Sequence, residues 1–226
     1  MEIEVAIQSP LSVAQAAAAL GVSPQRVRAL IASGGLPARR IGGRWLVDGR
    51  AVERRARGER LPARPFSSRN AWALLAIAAG AKPSGIDPAA ASRLRHRLSE
   101  RGLAGMAPLL VRRARRLALR VHPGARARLL DDPALVRSGA AAAADLQLGL
   151  IAPDAAEGYV AAGDLDGLVV RHALRPSAEP NVVLRVVDGL WPFSPGTRVV
   201  PLPVAALDLL EDEDARAQAA GRAALR

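Results

Sequence analysis

The 226-residue chain contains no cysteine. That excludes a disulfide framework and a thiolate metal site. Lysine occurs once, as Lys82, and every other basic side chain is arginine. Alongside so much Ala and Gly, this points to GC-rich coding, so arginine preference alone says nothing about recognition. No apolar run reaches membrane-spanning length, and Met1-Glu2-Ile3-Glu4 does not read as a signal peptide. A cytoplasmic protein is the expectation. Catalytic signatures are missing too. There is no phosphate-binding loop, no Gly-x-Ser-x-Gly elbow and no dinucleotide fingerprint. His96, His122 and His172 are far apart in sequence and read as helix-surface or partly buried residues. Asp164 and Asp166 read as helix-start carboxylates. The chain is therefore expected not to be an enzyme, and to need neither cofactor nor metal.

What is present begins at residue 11. Ser12 reads as the N-cap of a helix that buries Val13, Ala16, Ala17 and Leu20. Gly21 supplies the left-handed turn that ends it. Ser23-Pro24 is a second start signal, a cap followed by proline at the first helical position. The second helix buries Val27, Leu30 and Ile31 and exposes Gln25, Arg26 and Arg28. Gly34-Gly35-Leu36-Pro37 stops it. Two short strands follow around Gly42-Gly43, a dipeptide suited to a two-residue hairpin turn. Asp48 reads as the cap of a third helix.

This stretch resembles the excisionase-like DNA-binding domains related to the MerR family, over about the first quarter of the chain. The resemblance implies a winged helix-turn-helix whose second helix enters the major groove. Gln25, Arg26 and Arg28 would then contact bases or phosphates, and Arg39, Arg40 and Arg44 would be wing contacts.

Charge divides the chain. Of the formal net +11, residues 1–58 carry +5 and residues 59–130 carry +12, whereas residues 131–226 carry −6. The first part suits a polyphosphate partner, and the last suggests a different one. The expected layout is a winged domain at 1–57, a Pro-containing linker at 58–65, a basic helical segment at 66–130 and a small α/β domain at 131–226. The fold class is α+β, mainly helical. Helices are expected from Ser67 or Ser68 to about Ala79, and from Asp87-Pro88 to about Arg101, where Gly102 ends the second. Arg93, Arg97 and Arg101 recur every four residues and form a stripe for DNA phosphate. Arg112, Arg116 and Arg120 repeat that spacing, flanked by Arg113 and Arg115. Beyond Gly124, an alanine-rich helix is expected to reach Leu148. Strands are expected at Gly158–Val160, Pro180–Val187 and Arg198–Val200. Asp164 should cap a helix through about His172, and Pro203–Leu210 and Asp212–Leu225 read as the last helices.

Three C-terminal pieces resemble AbiEi-type antitoxins: Arg137–Ala142, Asn181–Val187, and Pro203–Leu210 leading to Asp214-Ala215-Arg216. That resemblance implies a repressor of its own operon that also neutralises a toxin of the nucleotidyltransferase fold. Glu211–Asp214 reads as a helix-start feature or as an acidic contact for a basic toxin. The expected partners are thus double-stranded operator DNA and a cognate toxin. The alternatives are an excisionase-like architectural factor, a regulator without a toxin, or an enzyme acting on nucleic acid.

Overall fold

The computed structural model describes residues 10–32, 36–41, 43–56, 65–150, 156–177 and 179–226. The chain divides into two compact units, Met1–Arg64 and Pro65–Arg226. About half of it is helical, with two small sheets.

The first unit runs β1 (Pro10–Ser12), α1 (Val13–Leu20), α2 (Pro24–Ala32), β2 (Ala38–Ile41), β3 (Arg44–Asp48) and α3 (Gly49–Ala56). Local chemistry sets each boundary. The Ser12 hydroxyl accepts from the Gln15 N–H at 3.2 Å, and the Gln15 side chain accepts from the Ser12 N–H at 2.8 Å, a reciprocal cap. Gly21 ends α1 at φ +63°, in the left-handed region. The Ser23 hydroxyl accepts from the Arg26 N–H, and the Asp48 carboxylate from the Ala51 N–H. The β1 strand was not anticipated. It pairs antiparallel with β3, which pairs antiparallel with β2, giving the order β1-β3-β2. Ala16, Ala17, Val27, Leu30, Leu36, Val47, Ala51 and Val52 form the core between helices and sheet. The expected stop at Gly34-Gly35 and most of the 58–65 linker lie outside the described residues.

The second unit contains α4 (Ser68–Ala78), α5 (Pro88–Met106), β4 (Arg115–Leu119), α6 (Arg126–Leu130), β5 (Val136–Arg137), β6 (Ala156–Ala161), α7 (Leu165–Arg171), β7 (Val182–Val187), α8 (Leu202–Leu210) and α9 (Ala215–Ala224). Its sheet has the order β4-β7-β6-β5, with β6 and β7 parallel and the other pairs antiparallel. The helix α7 makes the crossover between the parallel strands. Alternation along β6 and β7 sorts their side chains onto two faces. Ala156, Val160, Val182, Leu184 and Val186 pack with Leu129 of α6 and Leu168 of α7. Tyr159 and Val187 pack on the other face with Leu74, Leu94, Val204 and Leu207 from α4, α5 and α8.

Several expectations are corrected here. The separation at residue 130 does not hold, because β4 lies before it and pairs with β7 beyond it. The segment 66–130 is not helical throughout, since Arg115–Leu119 is a strand. The alanine-rich stretch forms only a 3-10 turn, Gly139–Ala142. At Arg198–Val200 there is a single parallel bridge, from Val199 to Arg137. Asp164 precedes α7 without a side-chain capping bond. The last helix starts later, at Ala215, capped by Asp214. Gly102 does interrupt α5, at φ 63° and ψ 164°.

The faces of β6 and β7 toward α8 carry Glu157, Tyr159 and Arg185, all buried. Asp208 and Glu211 meet them from α8 and its end. Arg113 enters from the segment before β4 and is 2% exposed. Its guanidinium donates to Asp208 at 2.5 Å, to both Glu211 oxygens at 2.6 and 2.7 Å, and from Nε to the Tyr159 hydroxyl at 3.0 Å. Tyr159 in turn donates to Asp208 at 2.9 Å. Ser138 donates to the other Asp208 oxygen. Arg185 donates to Glu157 at 2.8 Å and to Glu211 at 2.6 Å. The Arg113 carbonyl accepts from the Trp72 indole at 2.9 Å, tying the cluster to α4. Glu211 is therefore an internal ligand of two arginines, not the free acidic contact considered for Glu211–Asp214.

Two arginines against three carboxylates leave one carboxylate in excess. Burial pushes the carboxyls of Glu157 and Glu211 upward, but the hydrogen bonds from Arg113 and the charge of Arg185 hold Glu211 below its ordinary value. Glu157 is the one that yields. Burial, opposed by Arg185 and reinforced by the Asp208 charge, lifts it from 4.5 to about 7. Gly139 is required beside it: φ is +53°, and an added Cβ would overlap the Glu157 carboxylate.

Three outcomes follow. Asp208→Ala should lower unfolding stability by about 3–5 kcal/mol in a urea titration, because it takes a buried carboxylate from both guanidinium groups and leaves the Ser138 and Tyr159 hydroxyls without their acceptor; a loss below about 1 kcal/mol would contradict the cluster. Glu157 in the folded chain keeps a proton that the unfolded chain gives up between pH 4.5 and about 7, so stability falls with rising pH across that window. Glu157→Gln should flatten that fall, read as urea midpoints at pH 5 and pH 8. Ser12→Ala should destabilise the first unit by about 1 kcal/mol through loss of the cap, measured by the melting of its amide signals.

Candidate nucleic-acid interface

The helix α2 has two chemically distinct sides. Val27 is fully buried and Leu30 nearly so, because Ser23 and Pro24 fix where the helix begins and therefore which side meets α1. Gln25, Arg26 and Arg28 are exposed on the remaining surface, as the sequence predicts. The three-residue turn Gly21–Ser23 joins α1 to α2. The Gly21 and Val22 N–H groups both return to the end of α1, the second reaching the Ala17 carbonyl at 3.1 Å.

The hairpin presents a second basic edge. Ile41 pairs with Arg44, so the loop consists of two residues, Gly42 and Gly43. Gly43 has φ +79°, which a two-residue turn demands; Gly42 lies outside the described residues. Arg40 pairs across the hairpin with Trp45, and its Nε donates to the Gly43 carbonyl at 3.3 Å. Arg40 and Arg44 are exposed. Arg39 occupies β2 opposite Leu46, and its side chain lies outside the described residues. The fold thus gathers Gln25, Arg26, Arg28, Arg40 and Arg44 into one small unit, on exposed surface of its helix and hairpin.

The second unit carries the other stripe. Asp87 caps α5 by accepting from the Ala90 N–H at 2.7 Å, a bond that holds its carboxyl below the usual range. Leu94 faces the core, while Arg93, Arg97 and Arg101 are exposed along one side, as four-residue spacing requires. Arg97 lies 5.9 Å from the Phe66 ring centroid. Neither Arg93 nor Arg101 has a side-chain hydrogen bond or ion pair among the described residues. Glu100, the nearby acid, sits 3.4 Å from His96 instead. Arg112, Arg116 and Arg120 do not extend this stripe. They lie on and beside β4, and Arg113 between them belongs to the buried cluster.

The chemistry of these surfaces is electrostatic and hydrogen-bonding. Guanidinium groups on an exposed helix side and a hairpin suit phosphate oxygens and the acceptor edges of bases. Among the described residues no group of His, Asp or Glu has a metal-binding arrangement, and no helix is long and apolar enough to cross a membrane.

No curated protein and no solved structure matches the chain. Residues 10–60 match the model of a helix-turn-helix domain family. The match spans β1 through α3 and leaves the second unit outside it. The first unit is thus a helix-turn-helix domain, the architecture that carries DNA binding.

Proposed function

We propose that the chain is a cytoplasmic transcriptional regulator whose α2 reads an operator in the major groove. The observation that carries this reading is the two-sided α2 inside a unit that matches a helix-turn-helix family. The β2–β3 hairpin acts as the wing, with Arg40 and Arg44 on the backbone, and Arg39 on the same strand. The α5 stripe of Arg93, Arg97 and Arg101 grips phosphate without reading sequence.

For the second unit the reading is a partner-binding body, and its partner a nucleotidyltransferase-fold toxin. What supports it is the resemblance to AbiEi-type antitoxins, carried by three separated segments. Those segments converge in space: Ser138, Arg185 and Asp208, one from each, share the buried cluster. Their co-occurrence is then explained by a common fold requirement. An excisionase-like architectural factor uses the same first unit but needs no toxin. Co-expression with the adjacent gene, scored for growth rescue, separates the two.

The DNA reading is tested by gel shift of the full chain on its own promoter DNA. Arg26→Ala or Arg28→Ala should cost about 1–3 kcal/mol on the operator and relax its sequence preference. Arg93→Ala with Arg97→Ala should weaken operator and random duplex alike and shallow the salt dependence, by about 0.9 log units per lost contact per tenfold salt. Equal losses on both DNAs for every substitution would remove α2 as the reading helix.

A further inference from the structure

A cavity of about 910 Å³ opens in the second unit, away from the buried cluster. Three segments wall it: Arg120 to Ala125 after β4, α6 with the turn after it, and Arg171 to Ser177 at the end of α7. Four arginines line it, Arg120, Arg128, Arg171 and Arg175, with His122 and His172. Asp132 is its one acid.

That acid is fully engaged. Asp132 accepts from the Ala134 N–H at 2.9 Å and from Arg171 at 3.1 and 3.2 Å, and lies 2.8 Å from His172 Nε2. Burial would raise its carboxyl, but the bonds from Arg171 and His172 hold it at about 2. Asp132 therefore fixes Arg171 and His172 in the wall and has no capacity for the other arginines.

The remaining cations are arranged against their own repulsion. Arg120 and Arg175 stand directly opposite in an antiparallel bridge, exchanging backbone hydrogen bonds of 2.8 and 3.1 Å. Side chains so placed share one face, and like charges there are destabilising. Arg120 is partly occupied by Glu179, through its carbonyl at 2.8 Å and its exposed carboxylate at 3.4 Å. Arg128 and Arg175 are exposed and have no side-chain hydrogen bond or ion pair among the described residues. Pro123, Ala125 and Pro176 add apolar surface to the lining. The volume falls in the range of small-molecule sites, far above the need of one inorganic ion.

We propose that this cavity binds the phosphate groups of a nucleotide, with Arg128 and Arg175 as the primary phosphate ligands and the apolar wall under the base. Arginine forks match phosphate geometry, and an anion between Arg120 and Arg175 removes their repulsion. The proposal does not depend on operator recognition by the first unit.

Titration calorimetry of the full chain tests it with three probes: inorganic pyrophosphate, ATP and an eight-nucleotide single strand. Binding of pyrophosphate and ATP supports the site with a free nucleotide as its source; binding of the strand alone supports it with a nucleic-acid backbone as its source. In either case the Arg128→Ala, Arg175→Ala double variant should lose at least about tenfold in affinity, while Arg222→Ala on α9 should not. Should the alanine variant melt early, Arg128→Gln with Arg175→Gln keeps the stems and repeats the test. Absence of binding by all three probes at millimolar concentration, or affinity unchanged in the double variant, overturns the site. An equal loss on random duplex DNA also overturns it, by making these arginines a general basic surface.

Discussion

A guanidinium removed from water must be met by carboxylates, and in this chain Arg113 is met by two. Asp208 and Glu211 close around it, Tyr159 bridges it to Asp208, and Arg185 and Glu157 extend the cluster across two strands. Breaking such a group from one side leaves uncompensated charge in a poorly polarisable interior. Its members come from before β4, after β5, from β6, β7 and α8, and the Arg113 carbonyl reaches α4. The second unit therefore assembles as a whole or leaves charge stranded. That is why a functional boundary near residue 130 has no structural counterpart.

The cluster also separates two kinds of arginine. Those with internal carboxylate partners, Arg113 and Arg185, are structural. Arg93, Arg101, Arg128 and Arg175 are exposed without such partners among the described residues, and they are the ones available to an anion. In the first unit α2 buries Val27 and Leu30 and leaves Arg26 and Arg28 exposed. Function in this chain is assigned to exposed cations that have no internal carboxylate partner among the described residues.

Local signals were legible in the sequence. Ser12, Gly21, Ser23-Pro24 and Asp48 each act within a few residues, and each sits where the boundary falls. The β1 strand was not, because three residues are too few to show alternation. The arginines at 112, 116 and 120 were misread for a geometric reason. A four-residue step returns to the same side of a strand as well as of a helix. The charge reversal suggested a domain boundary, but charge describes surfaces while strand pairing is non-local. A better signal was present: Asp208 stands alone within Val204–Leu210, and Arg185 within Val182–Val187, single charges inside apolar runs. Such charges are buried only as partners.

On the proposed reading, α2 and the hairpin, rather than the second unit's core, meet DNA. Hydrogen exchange of the full chain, with and without its promoter duplex, tests this most directly. New protection is expected of amides in 25–32 and 38–48, with the β6 and β7 amides unchanged. Protection confined to 65–226, or none anywhere at low salt, would contradict it.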